Sequence, residues 1–441
     1  MKLEVIKSYT LAILVGISLI LSFSLWSYQP KEDDEKSILD EKEELLNEEQ
    51  INLGGTEETK KSLVQPTQLI FEQDNNYYGF SNAVNRQNLY EDMTSWVLYN
   101  FRISDANGRP NVNRQVEIIY PDELPMNIIP NLFTVNNSEQ VYNLAENFSF
   151  QRLYITFKSD HSLTFNFLST DGKTQISADV NNAQKHDQLL NYLTTLEGLE
   201  KYVMLEEKEF PIYLPVNPIQ AIGYKGSMSK LDPEILKNAL FQDPLEVHSN
   251  VSDDMEIWYQ DSVRLMQVFE DRLNMTFIHP QETLSYNPIT FIELLDQSIA
   301  TINGYKGWVQ DYNLESINTM NIRYQMYYRG YPVFNHEGLS IIEQKWVNKE
   351  LEEHRQPLFK IINTVPEPYT LDPGKDIISY IKESSNYKIS EIEDIQVGFR
   401  LGYSIETEEF IRLSLTPDWY VKINGQWEPI VMDEEHRKGV S

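Results

Sequence analysis

No cysteine occurs among the 441 residues. That absence removes disulfides, thiolate metal sites, cysteine nucleophiles and a lipidated N-terminal cysteine together, and it suits a bacterial protein outside the cytoplasm. Cations are short as well: 37 Lys and Arg face 67 Asp and Glu, a formal net charge of −30. A nucleic-acid surface needs clustered cations to displace counterions, so that class of partner is excluded. Attachment of the globular part to an anionic membrane face is excluded on the same ground. Glycine is scarce at 18, whereas Tyr, Phe and Trp number 26, 19 and 7. This is the composition of a folded, sheet-rich chain and not of a disordered one. The length allows about two to four domains, with several cores.

What is present is concentrated at the start. No charged residue falls between Ser8 and Pro30, and as a helix this stretch spans roughly 27–34 Å, enough to cross a bilayer core. Lys2 and Lys7 precede it, and Glu32, Asp33, Asp34 and Glu35 follow it. The positive-inside bias then puts residues 1–7 in the cytoplasm and everything after Pro30 outside, with Trp26 and Tyr28 at the interface. A cleaved signal peptide is the competing reading, but Ser22-Phe23-Ser24 is a poor small-x-small site followed by bulky Leu25 and Trp26. One helix face carries Ser8, Ala12, Gly16, Ser18 and Ser22, and Ile and Leu fill the other. Small residues let helices approach closely in lipid, so this face is the candidate helix–helix contact. The plainer reading is that both faces touch only lipid. Residues 31–60 hold twelve acids and four lysines, and charge repulsion favours a solvated spacer over residues 31–61.

The remainder reads as extracellular α+β units. Residues 62–210 form a first mixed domain, 211–288 a second, and 289–441 a third region with a sub-boundary near 366. Leu153, Ile155 and Phe157 alternate, as do Leu163, Phe165 and Phe167, which predicts a hairpin with one buried face. Asp171-Gly172 and Asn424-Gly425 are further turn signals, and Met320 to Tyr328 alternates strictly. Asp232-Pro233, Asn287-Pro288 and Asp372-Pro373 each read as an N-cap before a proline at the first helical position. Alternating strands follow each of these helices. A helix followed by an antiparallel meander, used more than once, predicts helices laid across curved sheets.

Chemistry is sparse. There is no HExxH; His336-Glu337 lacks the second ligand. The seven histidines are scattered, so a zinc site needs convergence that only tertiary structure can supply. GxSxG, GxGxxG and Walker loops are missing. Asp105-Ala106-Asn107-Gly108 imitates a calcium loop, yet Arg109, Pro110 and Val116 stand where a ligand, a glycine and a glutamate belong, so it reads as a turn. Ser227-Met228-Ser229-Lys230 fits the SxxK of serine acyl-enzymes, as does Ser385-Asn386-Tyr387-Lys388. Neither is joined by SDN or KTG. No catalytic residue, cofactor or metal ligand is nominated. An anchored wall hydrolase or wall-binding module stays as the alternative function.

Three segments carry a resemblance. They are Leu25-Trp26-Ser27-Tyr28-Gln29-Pro30 closing the apolar stretch, Tyr328-Arg329-Gly330-Tyr331-Pro332-Val333-Phe334, and Leu415-Thr416-Pro417-Asp418-Trp419-Tyr420-Val421-Lys422-Ile423 before Gly425 and Trp427. In this order they resemble the YycH (WalH) family of Gram-positive bacteria across the whole chain. The resemblance implies a single-pass membrane protein with a multi-domain extracellular part and no enzymatic activity. It implies two partners: a related YycI (WalI) protein and the YycG (WalK) sensor histidine kinase of the cell-wall two-component system. Contact would run largely through membrane helices.

Overall fold

Alternation along the chain becomes two large sheets in the computed structural model. It describes residues 51–432, apart from 145–146, 159–160, 206–209, 253–255, 270–272, 281–287 and 408–409. The chain divides into residues 1–50 and residues 51–441, and only the second unit falls among the described residues. The membrane helix expected over residues 8–30, with Ser8, Ala12, Gly16, Ser18 and Ser22, therefore lies outside them. Among the described residues no helix is long and apolar enough to cross a membrane.

The architecture is mixed α+β. Ten strands between Gln68 and Pro215 make one sheet, and fourteen between Ile219 and Pro429 make the other. Among the described residues pairing is antiparallel, except where Thr134–Val135 meets Val97–Asp105 and where Tyr331–Phe334 meets Ile392–Ile405. The predicted hairpin forms in register, with Leu153 opposite Phe167, Ile155 opposite Phe165 and Phe157 opposite Leu163. Its burial differs from the expectation of one buried face. Arg152, Tyr154, Thr164 and Asn166 on the other face are also buried, because the sheet curls until Tyr213 at its edge reaches Glu117 at its centre. A polar face is covered here, so its groups bond to one another instead of to water.

Each helix in the second half precedes a meander, as expected. Pro233–Leu240 leads to the strands from His248 to Ile278, Phe291–Asn303 to those from Asp311 to Pro357, and Gly374–Glu383 to those from Ile392 to Pro429. The caps are more varied than the three Asx-Pro pairs suggested. Asp232 does cap its helix, accepting from Glu234 N at 3.0 Å, with Pro233 at the first position. In the second helix Thr290 is the cap, in a reciprocal capping box with Glu293. Glu293 satisfies a second orphan amide there, and Asn287 of the expected Asn287-Pro288 cap lies outside the described residues. In the third, Pro373 itself is the cap residue and makes no side-chain bond, while the Asp372 carbonyl accepts from Trp419 Nε1 at 3.0 Å. The Asn424-Gly425 turn is as read, both residues having positive φ, at 50° and 71°.

The boundary near residue 288 does not separate sheets, since Asn274–Ile278 pairs with Glu350–Pro357. One buried apolar cluster runs from Leu53 to Leu415 through both sheets. A second wraps Ile377 and Ile381 of the last helix in Leu205, Ile212 and Leu214 of the first sheet and Ile392, Trp419 and Val421 of the second. Here the helix joins the two sheets.

The start of the described chain corrects the picture of a wholly solvated spacer. Ile51 and Leu53 are buried. Leu53 N donates to Tyr305 O at 2.9 Å, Gly55 N to Lys306 O at 2.9 Å and Thr56 N to Trp308 O at 3.1 Å. Asn303 closes the contact, accepting from Glu58 N and donating to Glu58 O, both at 2.9 Å. The acids of the stretch cluster at 32–49, and the segment after them is apolar enough to dock.

Candidate functional site

Three features carry chemistry outside the general core. The largest is a cleft of about 960 Å³ in the second sheet region. Strand Asp311–Ile317 brings Glu315 to its floor, Asn321–Tyr328 brings Arg323, and Gln426–Pro429 brings Trp427. Phe334 stacks against Tyr420 and Trp427, at 4.2 and 5.2 Å between centroids. Glu315 Oε1 accepts from Trp427 Nε1 at 2.8 Å. Lys422 and Arg323 stand 3.8 and 3.9 Å from its two oxygens. Burial raises the Glu315 carboxyl above the ordinary range, with those two cations pulling the other way.

Carboxyls gather around Lys422 at the seam between the sheets. Asp122, from the first sheet, accepts from Ile317 N of the second at 3.0 Å, and burial raises its pKa. Asp394 is pushed up to about 6 by burial, against the opposing pull of Ile395 N and Lys422. The sign follows from linkage: an acid that holds its proton more tightly when folded costs stability once ionised. That cost is absent below the unfolded value of 3.8 and complete above about pH 6. Asp394→Asn is therefore expected to be about 2 kcal/mol more stable than the parent at pH 7.5, with the gap closing toward pH 4. Urea titrations at both pH values check this; a gap that does not change with pH would refute it.

The third feature is a buried polar network. Glu117 accepts from Arg152, from Tyr154 OH at 3.1 Å and from Tyr213 OH at 2.7 Å. Arg152 also donates to Pro211 O at 3.0 Å. Burial raises both tyrosines, and Glu117 adds to it, so they act as donors and hold the edge strand over the sheet.

The sequence motifs fare as follows. Ser227 and Lys230 lie along the extended strand Ile219–Lys230, so the spacing covers about 10 Å and not the single helical turn that sets such a pair side by side. Lys388 is paired with Glu391 at 2.9 Å. Asp105 to Gly108 is a turn, with Gly108 N donating to Gly172 O at 2.8 Å. His336 lines the cleft, and Glu337 beside it accepts from Tyr403 OH at 2.9 Å. The cleft and the Glu117 network went unnoticed in the sequence, since both assemble from distant strands. Glu117 carried one signal, an acid inside an otherwise apolar run.

What the fold and these sites define is a two-sheet α+β protein whose polar clusters brace the sheets against each other. The family comparison makes this specific. The N-terminal domain of YycH protein matches residues 4–197, and its C-terminal domain matches residues 209–436. The chain belongs to the YycH family. It is 21% identical over 466 residues to the protein of Bacillus subtilis (strain 168) named two-component system WalR/WalK regulatory protein YycH, covering 100% of this chain and 99% of that one. The crystal structure of YycH from Bacillus subtilis superposes with a TM-score of 0.71 at 16% identity, over 87% of this chain and all of that one. That likeness carries the fold.

Proposed function

We propose that this chain is a membrane-anchored accessory regulator of a WalK-type sensor histidine kinase, acting beside a YycI-type partner with its bulk outside the cell. The observation that carries the reading is the end-to-end family match, which includes the N-terminal segment from residue 4. The relative's name as a WalR/WalK regulatory protein supplies the system. The docked segment 51–58 supports a mechanical role. It fastens the chain that follows the proposed anchor and its acidic spacer to the loop at 303–308, so the tether from the extracellular part begins at residue 51.

Residues 1–30 are then sufficient for kinase association, through the face of Ser8, Ala12, Gly16, Ser18 and Ser22. Gly16→Leu and Ala12→Leu should break association by steric wedging, whereas Ile13→Leu should be nearly silent. The coupling needed is about 1–3 kcal/mol, a several-fold or larger shift in output. In-cell crosslinking to the kinase, with a kinase-dependent reporter at matched abundance, tests this. A poly-Leu anchor that preserved both association and regulation would move the contact to the extracellular part and refute the mechanism.

A further inference from the structure

Among the described residues the fold achieves one convergence of histidines that the sequence did not show. The helix Ala183–Thr195 starts beside the end of the hairpin that joins Ser149–Phe157 to Leu163–Ser169. There His161 Nδ1 lies 3.6 Å from Asp187 Oδ1, and His186 Nδ1 lies 3.0 Å from the same oxygen. One ligand atom from each of the three residues lies within 4.8 Å of the others.

These spacings have a meaning. In a tetrahedral site with nitrogen and oxygen ligands at about 2.0–2.1 Å, neighbouring ligand atoms stand about 3.3 Å apart. The two separations from Asp187 straddle that value, and the three ligand atoms all lie within 4.8 Å, so turning the exposed His161 ring closes the set around an ion. One of the three is firmly held. His186 is only 6% exposed, its ring edge-on to Phe157 at 5.4 Å. His161 takes a left-handed backbone, φ 59°, which brings its ring to 5.1 Å from that of His186. The cations nearby are occupied elsewhere: Lys158 and Arg102 both pair with Asp179, at 2.6 and 3.1 Å. Two imidazoles and one carboxylate suit zinc and its neighbours, whereas calcium and magnesium ask for oxygen ligands.

We propose that His161, His186 and Asp187 form a binding site for a zinc-like divalent ion, with the fourth position left to water. The ion pins the hairpin end to the first turn of the helix. Without an ion, the same geometry is a hydrogen bond from His186 to Asp187 and an ion pair from His161 when that ring is protonated, so metal binding itself is what separates the two explanations.

The test uses the full-length chain stripped with a chelator and titrated with zinc chloride and, separately, cobalt chloride. One ion should bind per chain, cobalt should develop the visible bands of a tetrahedral nitrogen and oxygen site, and zinc should raise Tm. His161→Ala and Asp187→Asn change side chains that are 67% and 64% exposed, so the metal-free Tm should hold. Each should weaken binding by about 100-fold or more, since losing even a supporting partner of a ligand costs about 10–100-fold. His336→Ala should bind as the parent does. Unchanged affinity in both site variants would overturn the proposal, as would a parent chain with neither cobalt bands nor a zinc-dependent rise in Tm.

Discussion

Arg152→Met should cost about 3–5 kcal/mol of stability, although methionine fills much the same space. Arg152 and Glu117 are buried at the centre of the first sheet, with side chains 9% and 2% exposed. Removing the guanidinium strands the Glu117 carboxylate in a place that water does not reach. Tyr154 and Tyr213 still donate to it, but two neutral hydroxyls do not replace a cation. The Pro211 carbonyl loses its donor as well, so the edge strand Ile212–Pro215 loosens with it. Adding Glu117→Leu should recover part of the loss, because a pair removed whole leaves no lone charge. Recovery stays incomplete, since both tyrosine hydroxyls then lack their acceptor. Urea titration of the parent, the single variants and the double variant measures each term. A loss below about 1 kcal/mol for Arg152→Met would mean the pair behaves as an exposed one.

The hairpin at 153–167 and the meanders after each helix were legible because period-two alternation is a local property. The Asn424-Gly425 turn was legible for the same reason, since its positive φ values belong to those two residues. Caps were half legible. Asp232-Pro233 carries its own signal, and so does Thr290 with Glu293 three residues on, a capping box that outcompetes Asn287-Pro288 because it adjoins the first helical residue. The docking of residues 51–58 was hidden by averaging charge over the whole stretch 31–61, when ten of its twelve acids lie at 32–49. Clusters built across strands were not legible at all. Glu117, Arg152 and Tyr213 are 35 and 61 residues apart in turn, and only the curl of the sheet brings them together. The same holds for Glu315 with Trp427, and for His161 with His186.

Gly55→Val should release residues 51–58 from the sheets while both sheets stay folded. A side chain at this glycine runs into the Trp308 and Lys306 carbonyls, well inside van der Waals contact. Those are the carbonyls that Thr56 and Gly55 bond, so the valine expels the segment from its own acceptors. The cost is about 2–4 kcal/mol, from the exposure of Ile51 and Leu53 and the loss of the backbone bonds. The loop underneath should survive. Trp308 is buried against Tyr324 at 4.9 Å and bonds Asn303, and Tyr305 bonds His354 and Gln356. Limited proteolysis should then cut within 51–58 in the variant and not in the parent. Glu57→Gln, on an exposed side chain, should behave as the parent. If the segment relays movement to the membrane end, association through residues 1–30 should persist in Gly55→Val while the kinase-dependent reporter stops responding to the extracellular part. A variant that is cut at 51–58 yet regulates normally would separate docking from signalling and leave the extracellular part to act on the kinase by direct contact.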